Sequence, residues 1–230
     1  MSAEEKKYVS IALDGPSGAG KSTLARSVAK ELGFIYVDTG AIYRTVGYCV
    51  QQRGIDPKDT GAVAGLLPEL DIAMRYDETG LQRMYLDGQD VTGAIRLPEV
   101  SQCASQVSAI PAVREFLMDM QRDMAKNHNV VMDGRDIGTV VLPDADVKIY
   151  LTASAEDRAK RRYLELKDRG TPEDYGVILV ELEERDYNDI HRQTAPLKRA
   201  ADAVQLDTSG FSFEESRGKI LQLVKERLGL

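Results

Sequence analysis

Residues 15–22 (GPSGAGKS) decide the fold of this chain, because they fit the phosphate-binding pattern G-x-x-x-x-G-K-[ST] at every defined position. Residues 8–13 (YVSIAL) precede them and are apolar and rich in β-branched side chains, which predicts a buried parallel strand. The segment Lys21–Leu32 follows with apolar residues at helical spacing, and Gly33 stands where a helix would end. A strand, a glycine-rich loop and a helix in this order predict a P-loop.

This loop predicts the binding of a nucleotide phosphate. Its glycines allow consecutive backbone N–H groups to turn toward one anion without clashes from Cβ atoms, and the N-terminus of the helix adds positive potential. Lys21 is expected to span the β- and γ-phosphates, and the Ser22 hydroxyl is expected to ligate Mg²⁺. The residues predicted to hold the nucleotide are Gly15, Pro16, Ser17, Gly18, Ala19, Gly20, Lys21, Ser22 and Thr23. The loop alone does not distinguish a kinase from a GTPase or an ATPase.

The composition is that of a soluble globular protein. The chain has 230 residues, of which 43% are hydrophobic and 29% are charged, enough for one domain with an insertion or for two small domains. Its net charge of −7 argues against broad binding of nucleic acid, and no apolar run approaches the roughly 20 residues that span a bilayer. The charged residues 1–7 are not expected to be a signal peptide. Cys49 and Cys103 have no CxxC or zinc-ligand spacing, so we expect reduced thiols and a cytoplasmic protein.

Strand and helix patterns alternate along most of the chain. This alternation predicts an α/β fold in which a five-stranded parallel sheet is flanked by helices on both faces. The further strands are expected at 34–37, 130–132, 147–151 and 204–206, and the further helices at 42–52, 98–109, 112–126, 155–167, 172–192 and 213–228.

The segment 70–95 has a different pattern. Two turn signals, Thr79-Gly80 and Asp87-Gly88, separate three short strand-like pieces, which is typical of hairpins. The pieces are 72–76, 82–86 and 89–91. We therefore expect a small antiparallel sheet inserted into the α/β core.

Four further motifs follow the P-loop in a fixed order. They are 38–44 (DTGAIYR); 104–107 (ASQV), followed by Val113-Arg114; 133–141 (DGRDIGTVV); and 184–186 (ERD), followed by Asp189, Arg192 and 195–197 (APL). With them the chain resembles the bacterial-type cytidylate kinases, a P-loop nucleoside monophosphate kinase family, over about residues 8–228. The resemblance implies transfer of the γ-phosphoryl group of ATP to CMP or dCMP, in pyrimidine metabolism, with Mg²⁺ as cofactor.

The resemblance also implies three regions and a role for each matching residue. The regions are a P-loop core (1–38, 128–157 and 196–230), a CMP-binding region (39–127) and a helical lid (158–195). The CMP phosphate would be held by Arg44, Arg135 and Arg192, whose planar guanidinium groups match phosphate oxygens in pairs. Cytosine would be read by Ser105, Arg114 and Asp136. The sugar would be contacted by Arg185 and Asp189, with Thr39 nearby in place of the serine of some family members.

Catalysis would then consist of positioning and charge neutralisation, because the acceptor is already an anionic phosphate oxygen. The residues expected to act on the transferring phosphoryl group are Lys21, Arg135, Arg158 and Arg162. The last two share one helix face at a spacing of four, and which arginine of the run 158–162 meets the phosphoryl group stays open. Asp133 ends the strand 130–132, where a P-loop fold places an acidic residue near Mg²⁺.

Simpler structural roles remain open for single residues. Asp133 could form a turn before Gly134, and Thr39 could be an N-cap. Arg185 could pair with Glu181 along one helix, and Asp189 could pair with Arg185. Ser105 could be a small packing residue, Arg114 or Arg192 could be solvated or paired, and Arg135 could form an ion pair with Asp136.

Two other functions remain open for the chain. One is a P-loop kinase for another small acceptor such as UMP or a sugar acid. The other is a nucleotide-binding regulator, against which the paired arginine sets and the missing guanine-reading motif N/T-K-x-D count. We expect a monomer without nucleic-acid or membrane partners, since no apolar surface stripe is obvious in the sequence.

Overall fold

A five-stranded parallel sheet lies at the centre of the computed structural model, which describes residues 8–168 and 170–230. In chain order the strands are β1 (Ser10–Asp14), β2 (Ile35–Asp38), β3 (Ile72–Tyr76), β4 (Gln82–Leu86), β5 (Gln89–Asp90), β6 (Val130–Gly134), β7 (Val147–Thr152) and β8 (Val204–Asp207). The helices are α1 (Lys21–Leu32), α2 (Thr39–Gln52), α3 (Thr60–Leu66), α4 (Pro98–Val107), α5 (Pro111–Asn127), α6 (Ala155–Asp168), α7 (Tyr175–His191) and α8 (Phe213–Leu228).

The central sheet has the strand order β2-β6-β1-β7-β8, and every neighbouring pair is parallel. All residues of the central strand β1 are buried, as expected for a strand with helices on both faces. Val28 of α1 and Ile220 of α8 pack in one cluster with sheet residues, and Met124 of α5 packs against another cluster that contains Met132. The predicted five-stranded parallel sheet flanked by helices is confirmed.

The strands β3, β4 and β5 form a separate antiparallel sheet, which confirms the predicted insert. Met84 of β4 is buried in a second core together with side chains of α2, α4 and α5. The helices α2 and α4 cross closely, because a Cβ atom on Gly47 would lie 2.8 Å from the backbone nitrogen of Ala104. The chain between β2 and β6 therefore builds its own hydrophobic core beside the main sheet.

Two helices begin three residues away from their predicted starts. Helix α2 begins at Thr39, earlier than the predicted 42, because the Asp38 side chain caps it and accepts a hydrogen bond from the Ala41 nitrogen at 2.8 Å. Helix α7 begins at Tyr175, later than the predicted 172, because the Asp174 side chain caps it in the same way. In both cases the aspartate fixes the first turn of the helix.

Besides the short 3₁₀ helices Leu67–Glu69 and Ala94–Arg96, two elements were not predicted. The sequence of α3 (TGAVAGL) contains two glycines, which lower its helix propensity. A π-helical turn at Ile137–Val141, called the π-turn below, has the sequence IGTVV, and such β-branched residues are more typical of strands. Its backbone is closed by a hydrogen bond from the Leu142 nitrogen to the Ile137 oxygen at 2.7 Å. This turn contains the end of the 133–141 motif and lies against the carboxyl end of β1.

Cys49 and Cys103 are free thiols, and both are buried. Within residues 8–168 and 170–230, the helices lack the combination of length and hydropathy that crossing a membrane requires.

Candidate active site

A cleft of about 700 Å³ lies at the carboxyl ends of the parallel strands, where ligands bind in open α/β sheets. All nine residues that were predicted to bind CMP line this cleft, namely Thr39, Arg44, Ser105, Arg114, Arg135, Asp136, Arg185, Asp189 and Arg192. The P-loop contributes Ser17, Gly18, Gly20, Lys21, Ser22 and Thr23. Side chains that are far apart in sequence thus meet in one place.

The P-loop backbone requires glycine, as Gly15 and Gly20 illustrate. Gly15 has a φ of 150°, and a Cβ atom there would lie 1.9 Å from the Leu151 oxygen. Gly20 has a φ of 84° and precedes α1 without a side-chain cap. Because no side chain covers this helix end, its first N–H groups are available to an anion.

Lys21 is the buried cation of the P-loop. Its ammonium donates a hydrogen bond to the Pro16 oxygen at 2.7 Å. Burial lowers the pKa of Lys21 well below its ordinary value, and the neighbouring Arg135 lowers it further. An anion bound in the loop would stabilise the charged form of Lys21.

Oxygen ligands for a cation meet at the base of the loop. The hydroxyls of Ser22 and Tyr36 each donate to a different oxygen of Asp133 at 2.8 Å. Asp133 lies within β6, so the alternative that it merely forms a turn is wrong. Burial and the nearby Asp38 raise the pKa of Asp133, so a cation there would stabilise its charged form. Hydroxyl and carboxylate oxygens suit Mg²⁺, which is commonly held by one or two protein oxygens with substrate phosphates and water.

A buried carboxylate, Asp38, orients Arg44. Asp38 pairs with Arg44 at 3.0 Å and with Arg96 at 2.9 Å. Burial alone would raise the pKa of Asp38, but the two arginines hold it below its ordinary value. The Nε atom of Arg44 is buried without a hydrogen-bond partner, so this side chain retains donor capacity beside the cleft.

The Thr39 hydroxyl donates to the backbone oxygen of Asp133 at 2.7 Å. The alternative role of Thr39 as an N-cap is wrong, because Asp38 caps α2. Thr39 is therefore held against β6 at the edge of the cleft, with its oxygen still able to accept a hydrogen bond.

Asp136 sits among arginines in the floor of the cleft. It is only 4% exposed, it accepts a hydrogen bond from Arg114, and Arg192 lies 3.8 Å away. Burial raises the pKa of Asp136, and the two arginines oppose this rise. Asp136 forms ion pairs with Arg114 and Arg192, so neither arginine is merely solvated, and Asp136 is not confined to a local pair with Arg135.

Residues within α7 and directly after it line another side of the cleft. Asp189 accepts from the Arg135 Nε at 2.7 Å and lies 3.9 Å from Arg192. Arg185 makes no ion pair with Glu181 or Asp189 in the described part of the chain, so the helix-pair alternatives are wrong. The Nε of Arg185 is buried without a partner. Burial and Arg135 lower the pKa of Arg185 to about 10. An anion in the cleft would relieve this unfavourable burial.

The basic run of α6 divides between two roles. Arg158 is buried, donates to the Ser17 oxygen at 2.9 Å and pairs with Asp186 at 2.7 Å, so it joins the P-loop to α7 without lining the cleft. Arg162 lines the cleft and pairs with Glu165 at 3.1 Å. Arg161 also lines the cleft and donates to the Thr208 oxygen at 2.7 Å.

Sequence reasoning missed several lining residues. The backbone oxygen of Ser108 accepts from Arg114 at 3.3 Å, and its hydroxyl accepts from Arg192 at 3.4 Å. Tyr43 has a buried hydroxyl without a hydrogen-bond partner, and the Arg114 guanidinium lies 5.5 Å from its ring centre. Tyr43 belongs to the DTGAIYR motif and could have been found there. Ser108 follows α4 and carries no signal of its own.

Comparisons with known proteins agree on one family. The family model described as cytidylate kinase matches residues 11–226. A cytidylate kinase of Caldicellulosiruptor bescii is 51% identical over 94% of this chain and 96% of the relative. A cytidylate kinase of Geobacter sulfurreducens is 45% identical over 99% of this chain and 97% of the relative. A solved structure of an uncharacterized protein from Eubacterium ventriosum aligns with a TM-score of 0.53 at 10% identity, covering 94% of this chain and 98% of its own, and supports the fold alone.

Proposed function

The chain belongs to the cytidylate kinase family of nucleoside monophosphate kinases, and from this membership we propose how its cleft transfers the γ-phosphoryl group of ATP to CMP or dCMP. The observation that supports the proposal best is Asp136, a buried carboxylate that faces the cleft between Arg114 and Arg192. It offers hydrogen-bond acceptors in a site that is otherwise rich in donors. A cytosine ring presents the matching groups.

Cytosine is recognised through the positions of its hydrogen-bond donors and acceptors. The N4 amino group of cytosine is a donor, and Asp136 accepts from it. Arg114 and Ser105 donate to the cytosine acceptors N3 and O2. Uracil presents an acceptor at the position of the amino group, so it would leave Asp136 without a donor in a buried site. Such a site rejects the wrong base by leaving its own polar groups unpaired.

The acceptor phosphate and the sugar lie between α2 and α7 in the proposed complex. Arg44, Arg135 and Arg192 bind the CMP phosphate, and each has a carboxylate beside it that orients the guanidinium group. Arg185 and Asp189 meet the sugar hydroxyls, with Thr39 close by. Bidentate guanidinium contacts suit a phosphate because they fix its orientation as well as its charge.

The donor phosphates lie over residues 15–23 in the proposed complex, with the Lys21 ammonium turning from the Pro16 oxygen to the β- and γ-phosphates. Ser22 and Asp133 would hold Mg²⁺, directly or through water, and the ion would neutralise charge on the β- and γ-phosphoryl oxygens. The acceptor is an anionic oxygen, so the site needs no strong general base. Lys21 and Arg135 stabilise the charge of the transferring group by position.

The lid arginines complete the proposed site. Arg162 and the adjacent Arg161 reach the cleft and are placed to meet the transferring phosphoryl group when the lid closes. Arg158 contributes by holding the Ser17 oxygen and Asp186, which ties the donor loop to the acceptor helix. Closure excludes water that would otherwise hydrolyse ATP.

The proposal extends to setting and assembly. We place the enzyme in the cytoplasm, in pyrimidine metabolism, with the three regions bounded near residues 39, 128, 158 and 196. We propose a monomer, although α7 exposes Val180, Tyr187 and Ile190. Sedimentation velocity at micromolar concentration tests this assignment, and a dimer would contradict it.

The experiment that tests the function is a coupled assay of ADP release with ATP, Mg²⁺ and one acceptor at a time. We expect rapid turnover with CMP and dCMP, much slower turnover with UMP and almost none without an acceptor. Chelation of the metal should abolish turnover. Rapid ADP release without an acceptor would indicate an ATPase, and a preference for UMP would move the chain to another acceptor.

A further inference from the structure

Asp14 is a buried carboxylate for which the proposed mechanism has no use. It is the last residue of β1, directly before the P-loop, and it is 5% exposed. One of its oxygens accepts a hydrogen bond from the Ile137 nitrogen at 2.8 Å, and the other accepts from the Gly138 nitrogen at 2.7 Å. These are the first two N–H groups of the π-turn. Asp14 therefore caps this turn from a strand that is distant in sequence.

The π-turn that Asp14 caps directly follows two residues that are proposed to bind CMP. Arg135 and Asp136 lie between the end of β6 and the π-turn, so their backbone is held on one side by the sheet and on the other by Asp14. The turn also packs tightly, because a Cβ atom on Gly134 would lie 2.6 Å from the Ile137 side chain. Releasing the two N–H groups would free the segment that aims Asp136 at the base.

A carboxylate is the side chain that fits this position. Both of its oxygens accept, so it serves two donors at once, whereas an amide offers only one oxygen. Burial raises the pKa of Asp14 to about 6, so burying this negative charge in the folded protein is unfavourable by itself. An unfavourable buried charge that serves two backbone N–H groups beside the cleft points to a role in holding the turn.

We infer that Asp14 is a positioning residue for acceptor recognition, which fixes the segment 135–138 and thereby the direction of Arg135 and Asp136. The inference rests on the proposed role of Asp136 in reading the base. It links the donor side of the cleft to the acceptor side through one side chain, since Asp14 precedes the P-loop and its oxygens hold the acceptor turn.

The test is Asp14→Asn, with kcat and KM measured for CMP, UMP and ATP. The amide retains the shape but leaves one N–H facing an NH₂ group. A hydrogen bond to a charged group is worth enough to change affinity about 10-fold. We expect KM for CMP to rise about 10-fold and the CMP-to-UMP ratio of kcat/KM to fall by a similar factor, while KM for ATP changes less than about twofold.

Hydrogen exchange provides a readout that does not depend on activity. In Asp14→Asn, peptides that cover 135–142 should exchange faster than in the wild type. Asp146→Asn is the matched control, because Asp146 accepts from the Ser10 nitrogen at 2.7 Å at the other end of the same strand. It should leave the CMP-to-UMP ratio and the exchange of 135–142 unchanged. Equal effects of the two variants would reduce Asp14 to a general stabiliser and overturn the inference.

The remaining outcomes are also decisive. Unchanged exchange at 135–142 in Asp14→Asn, or faster exchange with unaltered KM for CMP, overturns the inference. If Asp14→Asn does not fold, Asp14→Glu takes its place with the same expected changes, because a carboxylate displaced by one methylene group cannot accept from the Ile137 and Gly138 nitrogens in the same geometry. Asp136→Asn is assayed in parallel. If that variant keeps the wild-type ratio, the base-reading role fails, and KM for CMP in Asp14→Asn then decides the inference alone.

Discussion

At the scale of single residues, the cleft contains buried cationic side chains that lack a full set of hydrogen-bond and ion-pair partners. Lys21 is 6% exposed, and its ammonium donates to a backbone oxygen. Nitrogens of Arg44, Arg185 and Arg192 are buried without hydrogen-bond partners. Burying such groups is unfavourable unless a ligand satisfies them. A substrate that carries several phosphates satisfies them together, which explains why these groups lie so close to one another.

Removing the lysine of the P-loop tests the donor half of the site. We expect Lys21→Ala to lower kcat by about 10²–10³-fold, because a preorganised donor to developing charge contributes roughly 3–4 kcal/mol. The dissociation constant for CMP should change less than about threefold, since Lys21 faces the other substrate. Lys30→Ala, an exposed lysine on the same helix, is the control. A loss of CMP affinity with kcat preserved would show that Lys21 serves the acceptor.

The stability of the protein should depend on the protonation of Asp14. Its pKa is raised from an ordinary 3.8 to about 6, first by burial and also by Asp136, while Gly138 and Lys21 oppose the rise. The folded state holds this proton more tightly than the unfolded state. The stabilisation is therefore fully present below pH 3.8 and is lost as the pH rises through 6. It amounts to about 3 kcal/mol.

Urea unfolding between pH 4 and 7 measures this loss. The free energy of unfolding of the wild type should fall relative to that of Asp14→Asn by about 2 kcal/mol over this range. The other titrating groups are common to both proteins, and those that do not interact with Asp14 cancel in the difference. Parallel pH profiles would show that Asp14 is not perturbed.

Individual contacts of this kind were only partly predictable from the sequence. The motif around 133–141 correctly brought Arg135 and Asp136 to the cleft, because each motif residue has a recognisable side chain. The link from Arg158 to the Ser17 oxygen was not predictable, since a backbone oxygen leaves no trace in the sequence. The hydrogen bonds from the π-turn to Asp14 were missed for the same reason.

At the scale of elements, α7 carries part of the proposed CMP site. Arg185 and Asp189 are four residues apart on α7 and therefore face the same side, and Arg192 follows directly at the C-cap, where the helix has ended. This periodicity was visible in the sequence. The start of the helix was not, because it depends on the cap at Asp174. Glycine-containing α3 and the β-branched π-turn were missed because local propensity favours other structures there.

Shortening the last arginine of this face separates the two substrates. We expect Arg192→Ala to raise the dissociation constant of CMP about 10- to 100-fold, the effect of losing a charged hydrogen bond. That of ATP should change less than about threefold, as measured by calorimetry on the folded variant. Arg199→Ala removes an exposed arginine nearby and serves as the control. Equal losses for both nucleotides would show that Arg192 serves ATP as much as CMP and would contradict its assignment to the CMP phosphate.

At the scale of the whole molecule, the inserted antiparallel sheet is attached to the proposed CMP-binding site. The Gln82 side chain of β4 accepts from the Asp38 nitrogen at 2.7 Å and donates to the Asp38 oxygen at 3.1 Å. Arg96, which follows the insert, pairs with the same aspartate. The two cores of the protein therefore meet at the residue that orients Arg44. The sequence predicted the insert but not this attachment, because a single glutamine in a strand has no distinctive pattern.

The charge of the molecule is also arranged around the cleft. The chain carries a net charge of −7, yet arginines converge on the cleft. Such an arrangement attracts small polyanions to one site while the remaining surface stays acidic. In the proposed function, the acceptor nucleotide is selected inside this cleft by the buried carboxylate of Asp136 and its two arginines.

The most direct test of that claim is kcat/KM for CMP and for UMP in the wild type and in Asp136→Asn. An amide donates as well as accepts, so kcat/KM for CMP should fall, UMP should gain relative to CMP, and the ratio should drop at least about 10-fold. Asp202→Asn, an exposed carboxylate paired with Lys148, should leave the ratio unchanged. A folded Asp136→Asn that loses stability but keeps the wild-type ratio would contradict the account.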